Sequence, residues 1–400
     1  MRNPRFARFA ASAISLSLMI FLAGCGLSKN NSNSGGNITD PAPGGYASGV
    51  GGAGQTSAAK FLIATQVPGG IPFPTAINSD GTLTKATVTM NTTHAEDNPF
   101  GISGAIDPSG SYFYEAVWPG LWTFTLDRQT GNLTEMPTSP YLDSINIESV
   151  AVDQLGKFLY AFGGGQVYAF TIASGTGQLT PLAGSPFPSF PTNMQYAIPS
   201  SRIAVSQTDK FLYVATEQGI AAYTIDATTG ALTPITGSPF GASAGAAFAL
   251  TAPASGFLYE TINGNSATIS AYSIDKSTGA LTAISGASTN NCSSGNMTSP
   301  ASGKFLFAAG CGNYTIDSTS GALTSVATDP TAPETAWSAF DPTGALLWIL
   351  HSQTPCFSCE VGTETFQIDS TTGALTAVPN SFFFMNDTEV GDEQSIALTQ

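Results

Sequence analysis

The sequence is poor in basic residues, in histidine and in long apolar runs. Lysine and arginine number 12 against 27 acidic residues, and histidine occurs twice in 400 residues. A surface that binds a nucleic-acid backbone needs clustered lysine and arginine, so this composition excludes nucleic-acid binding. The longest apolar run, from Phe9 to Leu22, is short for a membrane-spanning helix.

This apolar run has the features of an export signal. Three arginines precede it, and the segment "LAGC", which ends at Cys25, follows it. Small residues before a cysteine resemble the bacterial lipobox, where the signal is removed and the new N-terminal cysteine is lipidated. We therefore predict a signal peptide over residues 1–24, a lipid on Cys25 and the membrane as a partner. The alternative is an ordinary secretory signal with an incidental Cys25.

Residues 25–59 are rich in Gly, Ser and Asn and hold almost no large apolar side chain. Such a segment cannot bury enough surface to fold, so we predict a flexible linker before a folded domain over 60–400. Removal of residues 1–24 takes away three arginines and no acid, which leaves 9 basic against 27 acidic residues and a net charge near −18. Solubility explains this acidity. The predicted location is the cell envelope, extracytoplasmic, and the outer membrane if the organism has one, because Gly26 follows the cysteine.

A short phrase recurs along the rest of the chain. "DATTGALT" begins at Asp226, and close or looser copies place a glycine at Gly81, Gly131, Gly177, Gly230, Gly279, Gly321 and Gly373. The repeat is just under 50 residues long and has no helical pattern, which favours a β-propeller with one four-stranded blade per repeat. Asp226 is expected to accept backbone hydrogen bonds within its turn, and Gly230 to take the positive φ that closes it. A cation site is the weaker interpretation, because each copy offers one carboxylate.

The count of strands predicts how the ring closes. Seven second strands of a blade are recognisable, but the one at Phe61 has no first strand before it. The segment from Ser395 to Thr399, "SIALT", has the pattern of a first strand, and the chain stops there. We therefore predict an all-β, seven-bladed propeller whose C-terminal strand closes the ring in blade 1 and leaves no open edge.

The wording of the repeats resembles a known family. "GKFLYAF" at Gly156, "DKFLYVATEQGIAAYTIDATTGALTPI" at Asp209 and "GKFLFAAG" at Gly303 resemble blades of the lactonase-type seven-bladed propellers. That group includes bacterial 6-phosphogluconolactonase and the muconate lactonising enzyme. The resemblance implies the fold over residues 60–400, and lactone hydrolysis as one activity to consider.

The resemblance also directs attention to Arg202 and Glu217 in blade 4. Glu217 matches a glutamate of the lactonising members, whereas Arg202 falls where their histidine belongs and Ser201 falls on their arginine. The family's histidine one blade earlier is absent from Ser149 to Asp153. Lactone opening needs a base for water and a group that stabilises the oxyanion, and Glu217 and Arg202 are the candidates for these two roles. The alternatives are an ion pair at the rim of the channel and a ligand site without catalysis.

Four cysteines besides Cys25 suggest two disulfides in an exported protein, and we predict the pairs Cys292–Cys311 and Cys356–Cys359. A weak alternative is a metal site made of His351, Cys356 and Cys359, with His94 or Glu360 as a fourth ligand.

The variable loops are expected on one face of the ring, opposite the repeated hairpins, where binding sites on repeat proteins normally lie. Trp118 is a candidate stacking surface there, although core or rim packing is the favoured interpretation. No catalytic set is complete, and no cofactor is indicated. The preferred hypothesis is a monomeric binding or scaffold module for a protein, glycan or small molecule; the alternatives are a lactone hydrolase and a purely structural envelope component.

Overall fold

The computed structural model describes residues 61–65, 72–86, 90–91, 100–190, 201–241, 247–262, 267–285, 289–292, 296–308, 311–326, 337–341, 343–351, 362–384 and 395–398. These residues form seven sheets and no helix, so no helix in the described part of the chain is a candidate membrane span. The predicted signal peptide, Cys25 and linker lie outside the described residues.

Each sheet is one blade, and in blades 2 to 7 the first four strands, from the innermost outward, follow one another in chain order. The strands of blades 1 to 3 are β1 (Phe61–Thr65), β2 (Phe73–Ile77), β3 (Leu83–Lys85), β4 (Met90–Asn91), β5 (Phe100–Ile106), β6 (Tyr112–Trp118), β7 (Gly120–Leu126), β8 (Leu133–Glu135), β9 (Ile147–Val152), β10 (Phe158–Gly163), β11 (Gln166–Ile172), β12 (Leu179–Pro181) and β13 (Phe187–Pro188). Those of blades 4 and 5 are β14 (Ile203–Val205), β15 (Phe211–Thr216), β16 (Gly219–Ile225), β17 (Leu232–Pro234), β18 (Ala247–Thr251), β19 (Phe257–Ile262), β20 (Ala267–Ile274), β21 (Leu281–Ala283) and β22 (Thr289–Cys292). Blades 6 and 7 contain β23 (Met297–Thr298), β24 (Phe305–Ala308), β25 (Gly312–Ile316), β26 (Leu323–Ser325), β27 (Ser338–Phe340), β28 (Leu346–His351), β29 (Gly362–Ile368), β30 (Leu375–Ala377) and β31 (Phe383–Phe384), and β32 (Ser395–Leu398) follows.

The seven inner strands form the predicted closed ring. In order they are β32, β5, β9, β14, β18, β23 and β27; each contacts the next, and β27 contacts β32. The C-terminal strand β32 pairs antiparallel with β1, with Ile63 opposite Ala397. Blade 1 thus takes its inner strand from the C-terminus and its outer three from β1, β2 and β3. The seven-bladed fold and its closure are as predicted.

Four blades carry a fifth short strand that the four-stranded prediction lacks. In blades 3, 5 and 7 this strand pairs with the third strand of the blade, because the outermost strand is interrupted. A serine hydroxyl accepts the backbone N–H of the third strand near the interruption: in blade 3 the Ala169 N–H donates to Ser185 at 3.0 Å, and in blade 7 the Thr365 N–H donates to Ser381 at 3.1 Å. These serines therefore lie where the outer strand breaks.

The hydrophobic core lies between blades. The second strands carry large buried side chains, among them Tyr160 and Tyr213, which are fully buried. One cluster joins β10 and β11 of blade 3 to Ile203, Val205 and Leu212 of blade 4. Since each blade buries both faces against its neighbours, the ring stabilises every blade and holds the inner strands in fixed positions.

The repeated hairpin is a structural turn, as predicted. Asp226 Oδ1 accepts the N–H groups of Thr228 and Thr229 at 3.0 and 2.8 Å, and Gly230 has a φ of 73°. These hydrogen bonds to Asp226, chiefly that from Thr229, hold the pKa of its carboxyl below the ordinary value.

The hairpin also locks one blade to the next, which the sequence did not reveal. A Cβ added to Gly230 would lie 2.5 Å from Phe158 Cδ1, at the start of the second strand of blade 3. Tyr160 of the same strand donates its hydroxyl to the carbonyl of Gly230 at 2.9 Å. The same pair of contacts joins Tyr112 and Tyr114 to Gly177. The recurring glycine therefore permits close approach as well as positive φ.

Candidate functional site

Arg202 and Glu217 lie at the same end of blade 4. Arg202 directly precedes the inner strand β14, and Glu217 directly follows β15 in the two-residue turn to β16. The two strands are antiparallel, and the Ala215 N–H donates to the Arg202 carbonyl at 2.7 Å. This end of the blades carries the second-to-third-strand turns and the connections between blades, and we call it the loop face. The other end carries the first-to-second-strand turns and the repeated hairpins, and is called the hairpin face.

The guanidinium of Arg202 forms a buried ion pair with Glu148. Arg202 Nε lies 3.2 Å from Glu148 Oε2, and the side chains are only 7% and 5% exposed. Glu148 is the second residue of β9, so the pair joins the inner strands of blades 3 and 4. Burial lowers the pKa of Arg202, and the charges of Glu148 and Glu217 oppose that shift. Because an arginine keeps its charge at any physiological pH, the site holds a fixed cation.

Glu217 is exposed and acts on Arg202 through its charge. The structure therefore brings the two predicted residues together, and Glu148 joins them through its ion pair with Arg202. Sequence reasoning missed Glu148 because the segment considered for the inner strand of blade 3 began at Ser149, two residues after the observed start at Ile147. An acid at the start of an otherwise apolar strand was the available signal. We call Arg202, Glu148 and Glu217 the mouth cluster.

Polar side chains from other blades lie beside the mouth cluster. The hydroxyl of Ser201 donates to Asn296 Oδ1 of blade 6 at 3.4 Å. Asn296 is 1% exposed, and its Nδ2 has no hydrogen-bond partner among the described residues. Ser149 and Ser201 line a cavity of about 30 Å³ inside the ring, which has room for about one water molecule. This cavity is too small for a sugar-sized ligand.

The remaining predicted site residues are only partly within the described part of the chain. Cys311 lies in the turn between β24 and β25 and is disulfide-bonded. Cys292 is the last residue of β22 in blade 5, and its side chain is not among the described parts of the structure. The pairing Cys292–Cys311 therefore stays a prediction, as does Cys356–Cys359, because both of those residues lie outside the described ranges.

The structure describes only some of the residues predicted for a metal site or a stacking surface. Of the weak metal set, Cys356 and Cys359 lie outside the described residues, and so does His94; for His351 only the backbone is described, at the end of β28. Within the described ranges no three His, Cys, Asp or Glu side chains form a cluster that can hold a metal. Trp122 is buried in the core, whereas Trp118 at the end of β6 is half-buried.

Two buried glutamates were not anticipated from the sequence. Glu115 and Glu260 occupy matching positions in the second strands of blades 2 and 5, where blades 3 and 4 have Ala161 and Val214. Burial raises the pKa of Glu115 well above its ordinary value, and neither carboxyl oxygen has a partner among the described residues. Burial raises the pKa of Glu260 to about 7, although Tyr272 donates a hydrogen bond to Glu260 Oε2 at 2.9 Å.

Comparison with known proteins supports the predicted resemblance. Residues 184–294, which hold blades 4 and 5, match the family model described as "Lactonase, 7-bladed beta-propeller". No curated protein sequence matches the chain significantly.

Solved structures with a similar fold cover most of the chain. A candidate 6-phosphogluconolactonase from Bacteroides uniformis superposes with a TM-score of 0.62 at 16% identity, over 86% of this chain and 100% of that one. A second, from Bacteroides fragilis, has a TM-score of 0.58 at 16% identity, over 86% and 98% of the two chains. A hypothetical selenium-binding protein from Sulfolobus tokodaii reaches 0.54 at 9% identity, over 86% and 94%. At these identities the likeness shows the fold alone. The protein is a seven-bladed β-propeller in fold, and residues 184–294 resemble the lactonase family in sequence.

Proposed function

We propose that this protein is a lipid-anchored, extracytoplasmic binding module of the cell envelope, whose loop face binds a small neutral ligand that carries hydroxyl and carbonyl groups, such as a sugar or a sugar lactone. The observation that carries the proposal is the mouth cluster: a buried arginine held by Glu148, with the exposed carboxylate of Glu217 beside it.

A buried ion pair is a poor way to stabilise a fold. Replacement of such a pair by well-packed apolar residues is often neutral or stabilising by about 1–4 kcal/mol. Arg202 lies four residues before the turn that joins the first and second strands of blade 4. At the same position blades 2, 3 and 7 have Ser103, Ser149 and Trp337. The ring is therefore built without an arginine in those blades, which supports a role for Arg202 beyond packing.

The charges of the cluster suggest the class of ligand. One guanidinium faces two acidic side chains, so the site does not favour a free anion. An arginine donates hydrogen bonds to a carbonyl oxygen, and a carboxylate accepts them from hydroxyl groups. A ligand with both groups is therefore matched to Arg202 and Glu217.

The test is calorimetric titration of the full-length protein in detergent micelles with a panel of neutral sugars and sugar lactones. Glu217→Gln keeps the size of an exposed side chain and removes its charge, so we expect about tenfold weaker binding with unchanged thermal stability. Glu364→Gln, at a half-buried acid in β29 of blade 7, is the control and should bind as the wild type does. No saturable binding by the wild type to any member of the panel would contradict the proposal.

A second candidate function is hydrolysis of a lactone at the same cluster. The family match favours it, because residues 184–294 include both Arg202 and Glu217. In this reaction Glu217 takes a proton from a water molecule, whose oxygen adds to the lactone carbonyl, and Arg202 stabilises the oxyanion. The ring C–O bond then breaks, and the departing alkoxide takes back the proton that Glu217 removed from the water molecule. Turnover by the wild type that Glu217→Gln abolishes would establish the enzyme, whereas saturable binding without turnover would establish the binding module.

The membrane anchor has its own test. Cys25→Ser removes the thiol that would be lipidated, so we expect the variant to leave the membrane fraction and to lose the mass of the acyl chains. If the variant stays in the membrane fraction after its signal peptide has been removed, or if the wild type carries no lipid, the anchor is not the lipid on Cys25.

A further inference from the structure

A larger cleft lies on the hairpin face, at the boundary between blades 4 and 5. Its volume is about 360 Å³, within the range of small-molecule sites. Six of the residues that line it carry the inference: Gln207, Lys210, Phe211, Pro253, Ser255 and Lys276. We call it the blade 4–5 cleft. It is at the opposite face from the mouth cluster and does not depend on the proposed function.

Two of the chain's 12 basic residues line this cleft. Lys210 ends the first-to-second-strand turn of blade 4, and Lys276 is the second residue of the repeated hairpin of blade 5. The hairpins of blades 4, 6 and 7 have Ala227, Ser318 and Ser370 in place of Lys276. In an acidic protein, two ammonium groups at one cleft create a local site of opposite charge.

The acidic residue that begins this turn in other blades is missing on both sides of the cleft. In blades 2, 3 and 7 the turn begins with Asp107, Asp153 and Asp341, whose carbonyl accepts the N–H of the glycine three residues later. In blade 5 the Gly256 N–H donates to the carbonyl of Pro253, so a proline takes the place of the acid. In blade 4 that place is taken by Ser206. The two turns beside the cleft therefore lack the carboxylate that blades 2, 3 and 7 have at this position.

The nearest acids in sequence are engaged elsewhere. Asp209 Oδ1 accepts the Gln154 N–H of blade 3 at 2.8 Å. Asp275 Oδ1 accepts the N–H groups of Ser277 and Thr278 at 2.9 and 2.8 Å within its own hairpin. Neither carboxylate is directed to Lys210 or Lys276 by a hydrogen bond of the described structure.

Two polar atoms of the cleft lack partners. The side-chain oxygens of Ser255 and Gln207 are buried and make no hydrogen bond within the described residues, although Gln207 Nε2 donates to the Ala252 carbonyl at 3.4 Å. The amide oxygen of Gln207 accepts only, so it needs a donor such as a hydroxyl group; the Ser255 hydroxyl can donate to an anion. Buried polar atoms without partners are rare in folded proteins and call for a ligand or a water molecule.

We propose that the blade 4–5 cleft binds a small anion that also carries hydroxyl groups, of the class of hydroxycarboxylates and polyol phosphates. The two lysines bind the anionic group, Ser255 donates to it, and Gln207 accepts from a hydroxyl. Phe211 and Pro253 supply the apolar walls against which the carbon chain packs.

The experiment is calorimetric titration of the full-length protein at constant ionic strength with glycerol 3-phosphate, glycerate, inorganic phosphate and glycerol. We expect saturable binding of glycerol 3-phosphate, weaker binding of inorganic phosphate and none of glycerol. Lys210→Gln and Lys276→Gln should each weaken glycerol 3-phosphate binding about tenfold to a hundredfold, the range for one charged hydrogen bond. Ser255→Ala should weaken it about threefold.

Lys157→Gln is the matched control, because Lys157 occupies in blade 3 the turn position that Lys210 occupies in blade 4. Unchanged affinity in this variant supports the cleft, whereas an equal loss would show that only the overall charge matters. Absence of saturable binding, or binding of glycerol as tight as that of its phosphate, would overturn the proposal. Melting temperatures of all variants identify any loss that comes from unfolding.

Discussion

On the hairpin face every described blade boundary uses nearly the same contacts, whereas on the loop face blade 4 differs from the blades around it. Gly81, Gly131, Gly177, Gly230, Gly279, Gly321 and Gly373 each have the first residue of the neighbouring second strand within about 3 Å of where a Cβ would lie. At the channel mouth a buried ion pair joins blades 3 and 4. The repeated contacts hold the ring, and the unrepeated ones are available for function.

Even the repeated contacts tolerate exchange of the residues that make them. Tyr114, Tyr160, Tyr213 and Tyr259 each donate to the hairpin carbonyl of the next blade. In blade 6 the equivalent residue is Phe307, and Asn313 of β25 donates to the Gly373 carbonyl in its place. Blade 7 uses Trp348 Nε1 to the Gly81 carbonyl at 3.1 Å. A carbonyl buried at each boundary needs a donor, and any side chain that reaches it will serve.

The largest expected effect comes from breaking the ion pair at the mouth. Arg202→Met leaves the carboxylate of Glu148 buried without its cation, so we expect a loss of about 3–5 kcal/mol in the free energy of unfolding. The double variant Arg202→Met, Glu148→Leu should regain most of this loss, because the unpaired charge is gone. Urea unfolding of the single and double variants measures both. Equal stability of the Arg202→Met protein and the wild type would mean that the pair contributes nothing.

The next effect tests the glycine contact on the hairpin face, and the chain provides a control in the same turn. Gly177→Ala combines a φ of 67° with a Cβ 2.3 Å from Tyr112, so we expect a loss of about 2–4 kcal/mol. Gly175 has a φ of 83° with nothing within 4 Å, so Gly175→Ala should cost about 1 kcal/mol. Thermal and urea unfolding compare the two. Similar losses would show that backbone strain alone selects the glycine.

A third prediction concerns pH and the buried carboxyl of Glu260. Its pKa is about 7 in the folded protein and 4.5 in the reference state, so its ionisation opposes folding. The contribution of Glu260 to the free energy of unfolding is therefore fully present below pH 4.5. Up to about 3 kcal/mol of it is lost as the pH rises through 7. Glu260→Gln should flatten the fall in unfolding free energy between pH 5 and pH 8. An unchanged slope in the variant would show that Glu260 is not responsible.

The smallest effect comes from removal of one hydroxyl that donates a hydrogen bond to the hairpin carbonyl of the next blade. Tyr213→Phe removes the hydroxyl that donates to the Gly279 carbonyl at 2.9 Å and leaves that carbonyl buried, so we expect a loss of about 1–2 kcal/mol. Tyr168→Phe is the control, because its hydroxyl reaches only the Gln166 side chain at 3.2 Å in the described structure. Urea unfolding should show a larger loss of unfolding free energy for Tyr213→Phe than for Tyr168→Phe. Equal losses would mean that the hydrogen bond to the next blade adds no stability.

Much of the fold was predictable, because each repeat carries its own strand and turn signals. The strands Phe211–Thr216 and Gly219–Ile225, for example, are runs of β-branched and aromatic residues bounded by Gly, Asp and Thr, which is a local pattern of the sequence. The closure by Ser395–Leu398 followed from a missing strand at one end of the chain and a spare strand at the other.

The candidate site was less predictable, because its residues are distant in sequence and its partners differ between blades. Arg202 and Glu217 belong to one hairpin and were found together. Glu148 lies 54 positions before Arg202, and only the packing of blade 3 against blade 4 makes it the ion-pair partner. The strand pattern around Glu115 and Glu260 allows either an exposed or a buried position, and only the structure shows that both side chains are buried.

The sequence by itself determined the number of blades, the turns and the way the ring closes, since these depend on hydrogen bonds and strand periodicity within a single repeat. Tertiary structure decided which carboxylate pairs with Arg202, which glycines touch the next blade and which boundary holds a cleft with two lysines. Those properties belong to contacts between blades, where the distance between two side chains is set by the packing of separate repeats and not by their order in the chain.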